Sequence, residues 1–175
     1  MQELSHVLEI ATAAIEAKYF NLPIDGGSPI YRERVYCYEL YHQLRRQWPI
    51  GTPFSVNGEI DKKGHLQVQA TGARAASPDF LVHIPGSMSG NHAIIEVKPG
   101  NGKLHGIRKD LRTLTEFQEK VGYQRAIYLF YGHFPERKVN TAVAGLVAER
   151  GVALPAIEFW LHASPGPPAS LCAKT

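Results

Sequence analysis

Apolar residues recur along this chain first at helical spacing, then at strand spacing, then in alternation of the two. Leu4, Val7, Leu8, Ala11, Ala14 and Ile15 fall three and four apart, which predicts an amphipathic helix over residues 3–19. Pro23, Gly26, Gly27 and Pro29 mark residues 21–29 as a loop. A second helix is predicted over 30–48, with Cys37, Leu40, Tyr41, Leu44 and Trp48 on one face, ended by Pro49 and Gly51-Thr52-Pro53. Short β-like runs follow at 54–60, 80–84 and 93–97, with a further strand at 66–70. Pro99-Gly100-Asn101-Gly102 breaks the last run, and Leu104, Ile107, Leu111, Leu114 and Val121 then define a helix with Phe117 beside them. Residues 125–131 are dense in aromatic and β-branched side chains and predict a buried strand. A helix over 136–150 runs through Val139, Val143, Leu146 and Val147, and 157–161 predicts a final strand. From Ser164 onward the chain is rich in Pro, Gly, Ala and Ser, and 164–175 is expected to be a disordered tail.

That order implies an α/β fold: a mixed central sheet covered by helices, in one domain over residues 1–163. A chain of 175 residues is long enough to bury a core without staples. Two cysteines, Cys37 and Cys172, exclude a disulfide framework and a cysteine-rich zinc module. No apolar run approaches the ~18 residues needed to cross a bilayer. The start, Met1-Gln2-Glu3-Leu4-Ser5, lacks the basic and small-residue signature of a signal peptide, so the expected location is cytoplasmic. The net charge is only +3, but residues 98–125 hold seven basic and three acidic side chains. Localised positive charge of this kind attracts polyanions, though a solvated helix face produces the same pattern.

The strongest chemical signal is Pro78-Asp79 opening one strand and Glu96-Val97-Lys98 closing the next. Side chains alternate across a strand, so Glu96 and Lys98 share a face and Val97 takes the other. Charges at the end of an Ala93-Ile94-Ile95 run are costly to bury unless they are paired or bind a metal. If the two strands are neighbours, two carboxylates and an ammonium converge, which are the parts of a divalent-metal hydrolytic site suited to Mg²⁺ or Mn²⁺. A surface turn at Pro78-Asp79 and a solvated strand end before Pro99 would also account for these residues. Glu33 lies in the apolar stripe of the second helix, where a lone carboxylate needs a reason such as facing the site, or an arginine partner; Glu39 falls on the opposite side. Glu59 and Asp61 share a strand face and Glu59 is the better candidate, since a hairpin explains Asp61. His83 shares a strand face with Asp79 and is either an edge contributor or structural. His105, Arg108, Lys109 and Arg112 form a basic stripe for a phosphate backbone, with Asp110 read as an ion-pair partner. A phosphate-binding loop at Gly100-Asn101-Gly102-Lys103-Leu104 is rejected because Val97 and Leu104 stand where glycine and Ser or Thr are required. The eight histidines show no zinc spacing, and Cys37 reads as core.

Asp79 with Glu96-Val97-Lys98 resembles the motif of the PD-(D/E)XK, or restriction-endonuclease-like, nuclease superfamily. The surrounding text is similar too: Glu33-Arg34 running to Leu44, Glu59 after Val56-Asn57-Gly58, and Pro78-Asp79-Phe80-Leu81-Val82-His83. The likeness covers about residues 30–131. It implies an αβββαβ core, with an added N-terminal helix and C-terminal helix and strand, and Mg²⁺- or Mn²⁺-dependent cleavage of phosphodiester bonds, in DNA rather than RNA. It further implies Asp79, Glu96 and the Val97 carbonyl as metal ligands, Lys98 assisting the attacking water, and Glu33 contributing directly or through a water. A homodimer would supply a second site for cutting both strands. Two other readings fit the same residues: a catalytically silent nucleic-acid-binding or assembly module, and a defence effector nuclease that depends on a partner chain docked on 1–29 or 132–175.

Overall fold

A computed structural model of the chain describes residues 3–58 and 77–175. The elements are α1 (Leu4–Ala13), α2 (Ala17–Phe20), β1 (Leu22–Ile24), β2 (Gly27–Ile30), α3 (Glu33–Arg46), β3 (Ser55–Gly58), β4 (Phe80–His83), β5 (Asn91–Pro99), α4 (Leu104–Val121), β6 (Arg125–Tyr131), α5 (Glu136–Arg150), β7 (Ile157–His162) and β8 (Ser170–Lys174). A short 3₁₀ turn, Met88–Gly90, precedes β5. Among the described residues no helix is long and apolar enough to cross a membrane.

Six strands form one mixed sheet in the order β3-β4-β5-β6-β7-β8. β4 runs antiparallel to both of its neighbours, β3 and β5; β5, β6 and β7 run parallel, and β8 returns antiparallel to β7. β5 sits inside the sheet, so both of its faces are covered and Asn91 through Val97 are all buried. Alternation sends Val97, Ile95 and Ala93 into one core with Leu8, Tyr36, Leu40 and Leu44 of α1 and α3. Ile94 enters the opposite core with Ile107, Leu111, Leu114 and Phe117 of α4 and Leu146 of α5. The result is three layers, helix–sheet–helix. α4 stops at Gly122, which takes the left-handed conformation (φ +81°) and so lets the next residue, Tyr123, donate its N–H to the Phe117 carbonyl at 3.1 Å.

Three expectations are corrected. The predicted helix over 3–19 ends at Ala13, because Glu16 turns extended (ψ 149°) before the single turn of α2 begins. The predicted loop over 21–29 is a small β1–β2 hairpin, with Asp25-Gly26 at its tip and Gly26 at φ +68°, a short-hairpin turn signal. The tail predicted to be disordered contains β8. Its side chains are exposed, so composition carried no sign of it; the strand is held by backbone pairing to β7. Its approach is pinned where buried Ala169 donates its N–H to Thr12 Oγ1 at 2.9 Å. Its end is fixed by Thr175 Oγ1, which accepts the Ile157 N–H and donates to the Pro155 carbonyl. The strand expected at 66–70 and the second half of the run at 54–60 lie outside the described residues.

Candidate active site

The site is built where β4 begins and β5 ends. The β4–β5 register pairs Phe80 with Ile95, which leaves Asp79 beside the last residues of β5. Asp79 Oδ2 accepts the Val97 N–H at 2.7 Å. In an antiparallel pair a residue's N–H and C=O point to the same strand edge, so the Val97 carbonyl also faces Asp79, beyond the end of β4. Glu96 is 7% exposed, and the register sets it across from Asp79 on the same face of the sheet. Lys98 follows on the same face of β5, and its ammonium lies 2.8 Å from Glu33 Oε2 and 3.0 Å from Asp110 Oδ2. Glu33 is the first residue of α3 and Asp110 belongs to α4, so Lys98 joins the two helical layers across the end of the sheet.

Burial and like charge dominate the electrostatics. Burial pushes the Asp79 carboxyl up to about 6, against the Val97 N–H that pulls it down and with the Glu33 charge adding to the rise. Glu96 is raised well above the ordinary glutamate value, first by burial and then by the charges of Asp79 and Asp110. Burial alone would lower Lys98, but Asp110 and then Glu33 outweigh it and hold the ammonium above its usual range. Lys98 therefore stays charged. The Lys98 charge pulls both carboxyls down in part, but its direct ion pairs among the described residues are with Glu33 and Asp110.

Around Lys98 the main chain closes tightly. A Cβ on Gly102 would fall 2.8 Å from Lys98 Cγ, so the glycine turn lies directly on the lysine stem. The Gly102 N–H closes that turn on the Pro99 carbonyl at 2.8 Å, and Lys138 of α5 donates to the Gly102 carbonyl at 2.7 Å. Asp110 is held in turn by the buried Tyr128 hydroxyl, which donates to the same Oδ2 at 2.8 Å. Tyr128 stands beside Glu96 in the β5–β6 register. Beside Asp79 opens a cleft of about 270 Å³ between Tyr38 and Tyr41 of α3, Asn57-Gly58 of β3, and Asp79-Phe80.

Of the residues singled out from sequence, Asp79, Glu96, Val97, Lys98 and Glu33 meet here. Asp110 is the ion-pair partner expected, with Lys98 as its cation. Glu39 accepts from Gln43 and stays out of the site, and Cys37 is buried in the core. His83 is not brought to the cluster: it pairs near Asn91, at the far end of β5, and its Nε2 lies 2.9 Å from Asn57 Oδ1. The basic stripe on α4 divides. Arg108 and Arg112 both pair with Glu149 of α5, whereas His105 and Lys109 are exposed. The expectation that all four hold phosphate overlooked α5, whose Glu149 carboxylate engages both arginines and offsets one of their two charges. Glu59 lies outside the described residues. Sequence reasoning missed Tyr128, Lys138 and the Tyr38–Tyr41 cleft; only Tyr128 left a trace, as a polar hydroxyl in an otherwise apolar strand. Comparison with family models, with curated proteins and with solved structures returned no match.

Proposed function

We propose that this chain is a metal-dependent nuclease that hydrolyses phosphodiester bonds of DNA. The observation that carries the reading is the meeting of two buried carboxyls, Asp79 and Glu96, both raised chiefly by burial, with a charged lysine two residues along the strand from Glu96. Burying two carboxylates side by side is costly, and a hard divalent cation such as Mg²⁺ or Mn²⁺, which takes oxygen ligands, would offset that cost. Among the described residues no three His, Cys, Asp or Glu side chains are grouped to hold a metal ion. The donors on offer are therefore the two carboxylates and the Val97 carbonyl that faces Asp79. The element order α3-β3-β4-β5-α4-β6 is also the αβββαβ order implied by the resemblance to PD-(D/E)XK nucleases.

The chain's own residues then divide the work. Asp79 and Glu96 bind, and the Val97 N–H orients the Asp79 carboxylate. Lys98 remains protonated and offers its charge to the phosphate oxygens as negative charge develops, with Glu33 and Asp110 fixing its ammonium. A cation bound there would polarise the phosphate and supply a water of lowered pKa. The rival reading, a silent binding module, draws support from Lys98 being already paired; against it stands the buried Asp79–Glu96 pair, a costly arrangement that a purely structural cluster has no reason to keep.

The test is degradation of single- and double-stranded DNA and RNA with Mg²⁺ or Mn²⁺, with and without chelator. Cleavage is expected to need the metal, and Asp79→Ala or Lys98→Ala should abolish it while circular dichroism shows a folded chain. Cleavage that survives in both variants rejects this site.

A further inference from the structure

Resting on the nuclease reading, we infer that the cleft beside Asp79 and the adjoining face of α3 form a binding site for unpaired DNA, with one base stacked on Tyr38. The helix supplies the geometry. Arg34, Tyr38, Tyr41 and Arg45 are spaced by four, three and four residues, so they lie along one line of α3 about 16 Å long. This line borders the buried face formed by Tyr36, Cys37, Leu40 and Leu44. Tyr38 is 61% exposed, and with Tyr41 it walls the cleft that ends at Asp79. The Tyr41 ring is parallel to Phe80, which fixes the inner wall and leaves Tyr38 as the outer, accessible ring.

Three features favour a nucleic acid over another occupant. The aromatic wall leads to the carboxylates where the phosphate chemistry is assigned, so a strand lying along it already has its backbone at the site. Arg45, with Arg46, is exposed in the last turn of α3, and neither makes an ion pair among the described residues. Their charge therefore remains available to phosphate, whereas Arg108 and Arg112 are both engaged by Glu149. Finally, the cleft is smaller than the roughly 300–1,000 Å³ of pockets that enclose drug-sized ligands, which suits a single flat ring. Stacking on Tyr38 needs a base whose face is free, which an unpaired strand offers and an intact duplex does not.

The experiment measures binding without turnover. A fluorescently labelled single-stranded oligodeoxynucleotide is titrated in chelator, and its anisotropy is compared with that of the duplex and of the RNA of the same sequence. Single-stranded DNA should bind most tightly. Tyr38→Ala should weaken it about tenfold, within the range of one base–aromatic stack, while Tyr38→Phe stays close to the parent. Arg45→Gln should make the logarithmic salt dependence shallower by about 0.7, the contribution of one phosphate contact on a single strand. Absence of single-strand binding, tighter binding of duplex or RNA, or a Tyr38→Ala variant that binds like the parent would overturn the assignment. A protein that never cuts DNA but shows Tyr38-dependent binding would keep this site and lose the nuclease reading. One that cuts DNA with Tyr38→Ala unchanged in affinity would do the reverse.

Discussion

Replacing Asp79 by asparagine should make the metal-free protein more stable while removing its activity. The Asp79 carboxyl moves from an ordinary value near 3.8 to about 6 on folding. Between about pH 4 and 6 the folded chain therefore holds more of a proton at this site than the unfolded chain does. Stability then falls as pH rises through that window, and the loss is complete a little above pH 6. A shift of about two units, at ~1.4 kcal/mol each, corresponds to at most about 3 kcal/mol. Glu96 is raised as well and acts in the same direction. Asparagine keeps an oxygen to accept the Val97 N–H and gains an NH₂ that can donate to Glu96, so it removes the charge and leaves the hydrogen bonds. The gain at pH 8 should approach 3 kcal/mol, or roughly 6–12 °C in Tm for a chain of this size, and should shrink towards pH 4.5. The assay is urea or thermal unfolding followed by circular dichroism in chelator at several pH values. Added Mn²⁺ should stabilise the parent at pH 8 and the variant little. A variant less stable than the parent at pH 8, or one with the parent's pH profile, would refute the electrostatic account and leave Asp79 as a structural cap for Val97.

Two further outcomes follow from the surroundings of Lys98. Asp110→Asn should lower kcat by tenfold or more with KM little changed and shift the pH–rate profile, because the ammonium loses its buried anchor. Tyr128→Phe should lower kcat only severalfold, since it removes one hydrogen bond to Asp110 worth about 1 kcal/mol. Gly100→Ala and Gly102→Ala should separate stability from function. The new Cβ at position 100 would fall 2.2 Å from the His133 carbonyl oxygen, so that variant should lose on the order of 2 kcal/mol or more in a melting experiment. At position 102 the closest atoms are Lys98 Cγ at 2.8 Å and the Pro99 carbonyl oxygen at 3.0 Å, a milder clash that also displaces the lysine stem, so activity should fall further than the melting temperature does.

Much of the fold was legible because its elements carry strong local patterns. The apolar steps of Ile107, Leu111, Leu114 and Val121 located α4, and the ranges 125–131 and 136–150 coincide with β6 and α5. β8 escaped because its information lies in its partners: an exposed Ser-Leu-Cys-Ala-Lys run becomes a strand only when β7 offers an open edge and Thr12 anchors Ala169. The break after Ala13 was hidden for a similar reason, since Ala14 and Ile15 continue the helical spacing while the chain has already turned.

The site was legible in its parts and not in its assembly. That Glu96 and Lys98 share a face follows from the period of a strand alone, but whether Asp79 meets them depends on the β4–β5 register, which no local pattern declares. With Phe80 opposite Ile95, Asp79 reaches Glu96 and the Val97 N–H together. A slip of one residue would turn Phe80 and Val82 out of the core they share with α3 and carry Asp79 away from both groups. The same packing that buries Phe80 therefore sets the carboxylate pair, and its like-charge repulsion is a cost that the hydrophobic register imposes. Asp110 and Tyr128 complete the cluster on the same face of the sheet, the one that α4 covers. They lie 18 residues apart in sequence and meet only because α4 crosses back over β6, so the group that immobilises the lysine belongs to the topology rather than to any motif.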